Sequence, residues 1–324
     1  MPECKENCPK FKTMCGGQAL IEGIMMRGPE KEAIVVRKPD GELEVKVDPL
    51  KLVKTRHPWL GIPFIRGPVN FVDSMVHGVK ALMYSAEFFP EDEDSPAEPS
   101  KLDLWLEKHL SSEKAMGFIV TLSVILGLGF SILLFFVLPT FITNFLKKWI
   151  ASNLVLSLIE GAVRIAIFLI YLILMSQMKD MKRVFSYHGA EHQTIFCYEN
   201  GLPLTVENVR KMPRHHPRCG TSFLFVIMAV AILIHAALGA LGVDWGNFWI
   251  LLAVRLGSLP IIVSITYEIN RFVGRHDNFV TRILTAPGMW LQNWTTREPD
   301  DTMIEVGIKA LELVLPEEKG ADAW

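Results

Sequence analysis

The sequence predicts a mainly α-helical membrane protein: about four transmembrane helices, a small cytoplasmic β-containing N-terminal domain, and amphipathic cytoplasmic helices. Two observations carry this reading. Half of the 324 residues are hydrophobic and 21% are charged, below the quarter usual in a water-soluble globule, and the mean hydropathy is +0.28. The apolar residues also gather in four long runs that hold almost no charge, and a bilayer crossing needs about 20 such residues. Buried helices of a soluble chain are the competing explanation, but four runs of this kind rarely coexist there. The composition excludes disordered and disulfide-scaffold classes. A formal net charge of −2 gives no basic field, so no nucleic-acid partner is expected.

Residues 1–66 read as the β-containing domain. Met1–Lys12 is polar and lacks the apolar stretch of a signal peptide. Cys4, Cys8 and Cys15 match no strong zinc spacing and read as reduced thiols. Gly16-Gly17-Gln18-Ala19-Leu20-Ile21-Glu22-Gly23, followed by Met25-Met26-Arg27-Gly28-Pro29, reads as turn punctuation, with an anion cradle as the alternative. Ala33–Lys38 and Glu42–Val47 are β-rich runs joined by the hairpin turn Pro39-Asp40-Gly41.

Residues 67–115 carry an amphipathic helix from Pro68 to Phe89 and the acidic, Pro-broken linker Glu91–Pro96. One face of that helix, with Val69, Val72, Met75, Val76, Val79, Leu82, Met83 and Ala86, packs either on the β unit or on a membrane surface. Residues 116–178 hold the first two spans, near Met116–Leu138, with Pro139 at its outer end, and Leu154–Met178. Residues 179–220 form a cytoplasmic loop. Residues 221–268 hold most of the third and fourth spans, placed near Cys219–Val243 and Trp245–Tyr267 and joined by a tight turn at Gly242-Val243-Asp244. Residues 269–324 read as cytoplasmic helices. Asp277 is the expected cap of one containing Phe279, Ile283 and Leu284, with Trp290 and Trp294 as an aromatic belt. Thr302 and Glu305 form a capping box for the last helix, to about Leu315.

Lys and Arg counts set the orientation. Lys179, Lys182, Arg183, Arg210, Lys211, Arg214 and Arg218 lie between spans two and three, and Arg271, Arg275 and Arg282 follow span four. Both termini and the central loop are therefore expected in the cytoplasm. The basic run Arg210–Arg218 enforces topology first; binding anionic lipid heads and stabilising charge beside a metal are its other readings.

The most informative run is Ser186-Tyr187-His188-Gly189-Ala190-Glu191-His192. A helix through it, ending near Asn200-Gly201, places His188 and His192 on one face, with Glu191 beside them. Two imidazoles at that spacing can share a divalent metal such as zinc, and the carboxylate can act as base. H-x-x-E-H is the inverzincin metallopeptidase pattern, although those folds are soluble and only the local geometry compares. The bland alternative is a surface helix with two polar histidines. His216, Cys219 and Glu268 are the candidates to complete the metal shell. Cys197 lies about 180° round a continuous helix from His188 and joins only if the helix breaks. A second cluster, Glu160, Arg164, His235 and Arg255, falls at similar depth inside the spans, where charges must pair. A structural ion bridge is its plainer reading; an anion or lipid pocket, or a proton relay, is the functional one.

The blocks Gly16–Gly23 with Met25–Pro29, Tyr187–His192, and His216-Pro217-Arg218-Cys219-Gly220-Thr221-Ser222-Phe223 resemble the YqhQ-type family of bacterial membrane proteins of unknown function. They run in order along most of the architecture. The resemblance implies a multi-pass protein of the bacterial inner membrane, of a family often labelled predicted metal-dependent enzymes, and implies no substrate. The function expected is a divalent-metal site at the cytoplasmic membrane face, serving a metal-dependent hydrolase in which Glu191 activates water. Partners are the bilayer and other membrane proteins. The rivals are a non-enzymatic scaffold or assembly factor, and a small transporter or lipid-binding protein. No P-loop, Rossmann fingerprint or nucleophile elbow is present.

Overall fold

The computed structural model describes residues 11–50, 57–89, 112–241, 247–318 and 320–323. The acidic linker, Cys4, Cys8 and the Gly242-Val243-Asp244 turn lie outside them. The described residues divide into two compact units: residues 11–50, 57–89, 170–231, 258–318 and 320–323 form one, and residues 112–169, 232–241 and 247–257 the other.

The first unit is built on a four-stranded antiparallel sheet, β1 (Gly16–Leu20), β2 (Gly23–Arg27), β3 (Lys31–Arg37) and β4 (Leu43–Pro49), in that spatial order. The β3–β4 hairpin is the expected one, with Arg37 paired to Leu43 across the Pro39-Asp40-Gly41 turn. The glycine-rich run is more than turn punctuation. Most of it forms β1 and β2, with one turn at Ile21-Glu22, where Glu22 takes a φ of +48°, and a second after β2, where the Gly28 N–H donates to Lys31 O at 2.9 Å.

β2 and β3 are covered on both faces, so they carry continuous apolar runs rather than alternation. Met25, Ile34 and Val36 meet Ala81 of α1 (Arg66–Ala86) on one face. Ile24, Met26, Ala33 and Val35 meet two helices on the other: α5 (Lys179–Glu199), through Ala190 and Ile195, and α11 (Asp301–Val314), through Ile304 and Leu311. Asp300, not Thr302, caps α11, its side chain accepting from the Met303 N–H. Three good capping residues stand in a row there, Asp300-Asp301-Thr302, and the first takes the cap.

Among the described residues, four helical segments are long and apolar enough to cross a membrane: Thr121–Leu146, Asn153–Met175, Gly220–Ala240 and Phe248–Arg275. The first comprises α2 (Ser112–Ile132) and α3 (Leu138–Leu146), joined by a π-helical turn at Leu133–Val137. Pro139 therefore lies inside the span and not at its end. Proline removes a backbone donor and crowds the carbonyl four residues back. The wider turn relieves this, with the Leu138 N–H reaching Leu133 O, and the freed Phe135 carbonyl accepts from Arg164 Nε at 2.9 Å.

The second span is α4 (Asn153–Met175). After α6 (Val206–Arg210), the third span is α7 (Gly220–Ala240). The fourth breaks before Pro260 into α8 (Phe248–Gly257) and α9 (Leu259–Arg275), and extends beyond the expected Tyr267. α10 (Phe279–Thr295) is capped by Asn278, which accepts from Thr281 N in a capping box; the expected cap, Asp277, instead pairs with Arg282.

Candidate metal centre

α5 carries the H-x-x-E-H run without a break and ends at Asn200, with Gly201 in the left-handed region at φ +63°. Close packing dictates Gly189: a Cβ there would strike the Arg297 carbonyl, past the end of α10. The Arg297 N–H in turn donates to Phe185 O of α5 at 2.9 Å. α5 is thus seated on the C-terminal end of α10, where the helix leaves unpaired carbonyls.

Backbone carbonyls orient both histidines, one at the end of α10 and one in the loop between α6 and α7. His188 Nδ1 lies 2.7 Å from Thr295 O, and His192 Nδ1 lies 2.6 Å from Arg214 O. A carbonyl only accepts, so each Nδ1 donates to its carbonyl and each Nε2 is the nitrogen turned toward the group. His188 Nε2 sits 3.1 Å from Cys219 Sγ. His192 Nε2 is buried and has no hydrogen-bond partner. The three donor atoms lie within 4.8 Å of one another, and the group has the composition to hold a metal ion. Tetrahedral zinc ligands stand about 3.5 Å apart.

Cys219 immediately precedes α7. A helix N-terminus favours a thiolate, and Thr221 Oγ1 donates to the sulfur at 3.4 Å. Burial alone would push the thiol up, but His188 and His192 beside it bring it well below its ordinary 9.0. Burial likewise works against a charged His188; the Cys219 thiolate outweighs it and lifts His188 to about 9. Without a metal, the proton sits on the imidazole and the sulfur is anionic.

Glu191 is buried, and one oxygen accepts from the Gly17 N–H of β1 at 2.9 Å. Burial raises its pKa above the ordinary carboxylate range, against the pull of His192 and His188. Gly17 admits no side chain: a Cβ would lie 2.6 Å from Met25 O and 3.2 Å from Glu191 Cδ. Tyr187 is fully buried and donates its hydroxyl to Glu22 at 3.1 Å.

Of the candidates to complete the shell, the structure brings Cys219 alone to the two histidines as a third donor. His216 is a near neighbour, its ring centroid 5.5 Å from that of His192. Its backbone is clamped by Gln292, which accepts from its N–H at 2.7 Å and donates to its carbonyl at 2.8 Å. Its Nε2 faces Glu199 at 3.8 Å, and Glu199 also pairs with Arg218. Burial lowers His216 to about 4, so it stays neutral. Glu268 is not brought to the group. It is forked by Arg66, with Nε at 2.8 Å. Cys197, on the far side of the unbroken α5, is buried with its sulfur 3.5 Å from Pro203 O.

In the second unit, Glu160 accepts from Arg164 at 2.8 Å, from Thr143 at 3.2 Å and from Arg255. Arg255 also donates to Thr140 at 2.5 Å. His235 is buried in the same unit, its carbonyl accepting from Ser157.

Gly17 and the carbonyls of Thr295 and Arg214 were not foreseen as parts of the centre. The carbonyls leave no side-chain signal in the sequence; Gly17 had one, the glycine-rich run.

The chain matches the family model described as a protein of unknown function, DUF1385, over residues 62–317. It is 32% identical, over 305 residues, to an uncharacterized protein YqhQ of Bacillus subtilis (strain 168), covering 93% of this chain and 92% of that protein. No solved structure matches it.

Proposed function

We propose that this chain, which belongs to the DUF1385 family of proteins of unknown function, is a metal-dependent membrane hydrolase. The observation that carries the reading is the matched pair of Nδ1–carbonyl hydrogen bonds, which leaves two Nε2 atoms beside one thiolate. A buried nitrogen without a partner costs about 1–3 kcal/mol, and a ligand on His192 Nε2 removes that cost. Two imidazoles and a thiolate suit zinc better than calcium or magnesium. Three protein donors leave one position open, as catalytic zinc sites do.

Such an ion supplies Lewis acidity, polarising a carbonyl and acidifying water. Glu191, held by the Gly17 N–H, takes the proton from water and returns it to the leaving group; its raised pKa fits both duties. The substrate class is an ester or amide, from a peptide or a lipid. By the Lys and Arg distribution the centre faces the cytoplasm from the bacterial inner membrane, with both termini on the same side.

Metal quantification on full-length protein purified from membranes tests the reading. About one zinc per chain is expected, lost in His188→Ala, His192→Ala and Cys219→Ser. Glu191→Gln keeps the metal and loses hydrolysis. Absence of stoichiometric metal, or unchanged content in the three ligand variants, overturns it.

A second reading rests on the 3.1 Å contact between His188 Nε2 and Cys219 Sγ: a cysteine nucleophile with its imidazole base. It leaves His192 Nε2 without a role. Hydrolysis that survives chelation and stops on alkylation of Cys219 would favour it.

A further inference from the structure

Helix α1 leaves an apolar face bare. At about 100° per residue, its side chains fall into three sectors. Gly67, Gly78, Ala81 and Ser85 are buried. Arg66, Asp73, His77 and Lys80 form a polar sector next to them. The remaining arc begins at Phe71 and is about 140° wide. It holds Val72, Met75, Val76, Val79, Leu82 and Met83, all exposed, with Val72 at 59%. It contains no charge, and soluble monomers rarely show an apolar surface of this extent.

The face continues into the preceding segment. Trp59 and Phe64 are 62% and 58% exposed. Phe64 takes a φ of +68°, a left-handed conformation that bulky residues rarely adopt. α9 holds it there. Ser264 Oγ donates to Phe64 O at 2.5 Å, and the Phe64 N–H donates to Glu268 at 3.4 Å. Arg66 pairs with Glu268, and Asn70 donates to Tyr267 at 2.7 Å. The turn's backbone is thus satisfied by side chains of a span helix while its aromatic ring points outward. A non-helical backbone must be satisfied internally in this way where no water is present.

We propose that the bilayer covers this face: Trp59–Met83 is a membrane-embedded element additional to the four crossings, seated against α9. The helix that carries the bare arc packs, through Gly67, on Ser264 and Tyr267 of α9, which belongs to a span and whose own Ile261 and Phe272 are exposed. The polar sector, repeated along α1, opposes a crossing and favours a helix lying in the interface, apolar face down.

The test uses the wild-type chain in vesicles of phosphatidylethanolamine and phosphatidylglycerol doped with a phospholipid that carries a diazirine on its acyl chain. After illumination, adducts are mapped by mass spectrometry. Adducts on residues 59–83 are expected at a yield comparable with those on exposed span residues such as Leu126 and Phe130, and none at Lys46 of β4. Labelled spans with an unlabelled 59–83 segment overturn the proposal. So does a link to a second copy or to another protein formed by a diazirine amino acid placed at Val72.

Discussion

Replacing Glu160 with Gln strips the counter-charge from two buried guanidinium groups at once. The side chains of Arg164 and Arg255 are 9% and 1% exposed, and that of Glu160 is 3% exposed. Two cations and one carboxylate give the cluster a net charge of +1; Glu160→Gln makes it +2, Arg255→Gln makes it 0, and the double replacement restores +1. Breaking a buried ion pair by removing one partner costs about 3–5 kcal/mol, and the upper end applies because both pairs go together. Arg255→Gln leaves Glu160 with Arg164 and Thr143, and should cost about 1–3 kcal/mol. The double variant should lose less than the sum of the two single losses, by a coupling of about 1–3 kcal/mol. Equilibrium unfolding in mixed micelles, with SDS as titrant and tryptophan fluorescence as readout, measures all four proteins. A Glu160→Gln protein within about 1 kcal/mol of the wild type, or a double variant that loses the sum of the two single losses, refutes the pairing.

Metal affinity should depend on pH with a definite sign. In the metal-free centre His188 carries the proton up to about pH 9, and metal binding expels it. Affinity therefore rises about tenfold per pH unit below that value and flattens above it, which competition against a fluorescent zinc chelator from pH 6 to 9 would show; a flat profile removes the imidazolium–thiolate pair. The cysteines should differ in reactivity. His188 and His192 bring the Cys219 thiol well below its ordinary range, whereas burial raises Cys15 to about 11, so a small thiosulfonate should modify Cys219 first, and added zinc should slow it; peptide mapping that finds Cys15 faster contradicts this. Gly17→Ala forces a methyl to within 2.6 Å of Met25 O and 3.2 Å of Glu191. It should cost about 1–3 kcal/mol, as overpacking does, and lower hydrolysis far more than metal content, so a variant with wild-type activity would detach Glu191 from the proposed chemistry.

The spans were legible because length and absence of charge specify a crossing whatever surrounds it. Their internal breaks were not. Pro139 looks like a terminator until the π-turn that accommodates it is seen, and nothing in the local sequence announces that turn. β1 and β2 were hidden for a different reason. β2, buried along almost its whole length, has no alternation to read, and the glycines that open both strands point to turns by default. The i, i+4 pair of imidazoles followed from helix geometry alone. Choosing among His216, Cys219 and Glu268 did not, because their nearness to α5 is tertiary. Arg66 takes Glu268, Gln292 and Glu199 occupy His216, and none of these partners is close in sequence to the residue it claims.

The Gly17 N–H also has a consequence for solubility during folding. β1 ends the sheet on one side, and an unpaired strand border is a template for joining another chain. Here the outward amide of Gly17 is spent on Glu191, and that of Ile21 on Ser85 at 3.3 Å, so α5 and α1 cap the border. The opposite border, β4, carries Glu44, Lys46, Asp48 and Pro49, residues that discourage pairing. The carboxylate assigned to catalysis thereby doubles as a guard against aggregation, and losing it would expose a sticky margin as well as an idle centre.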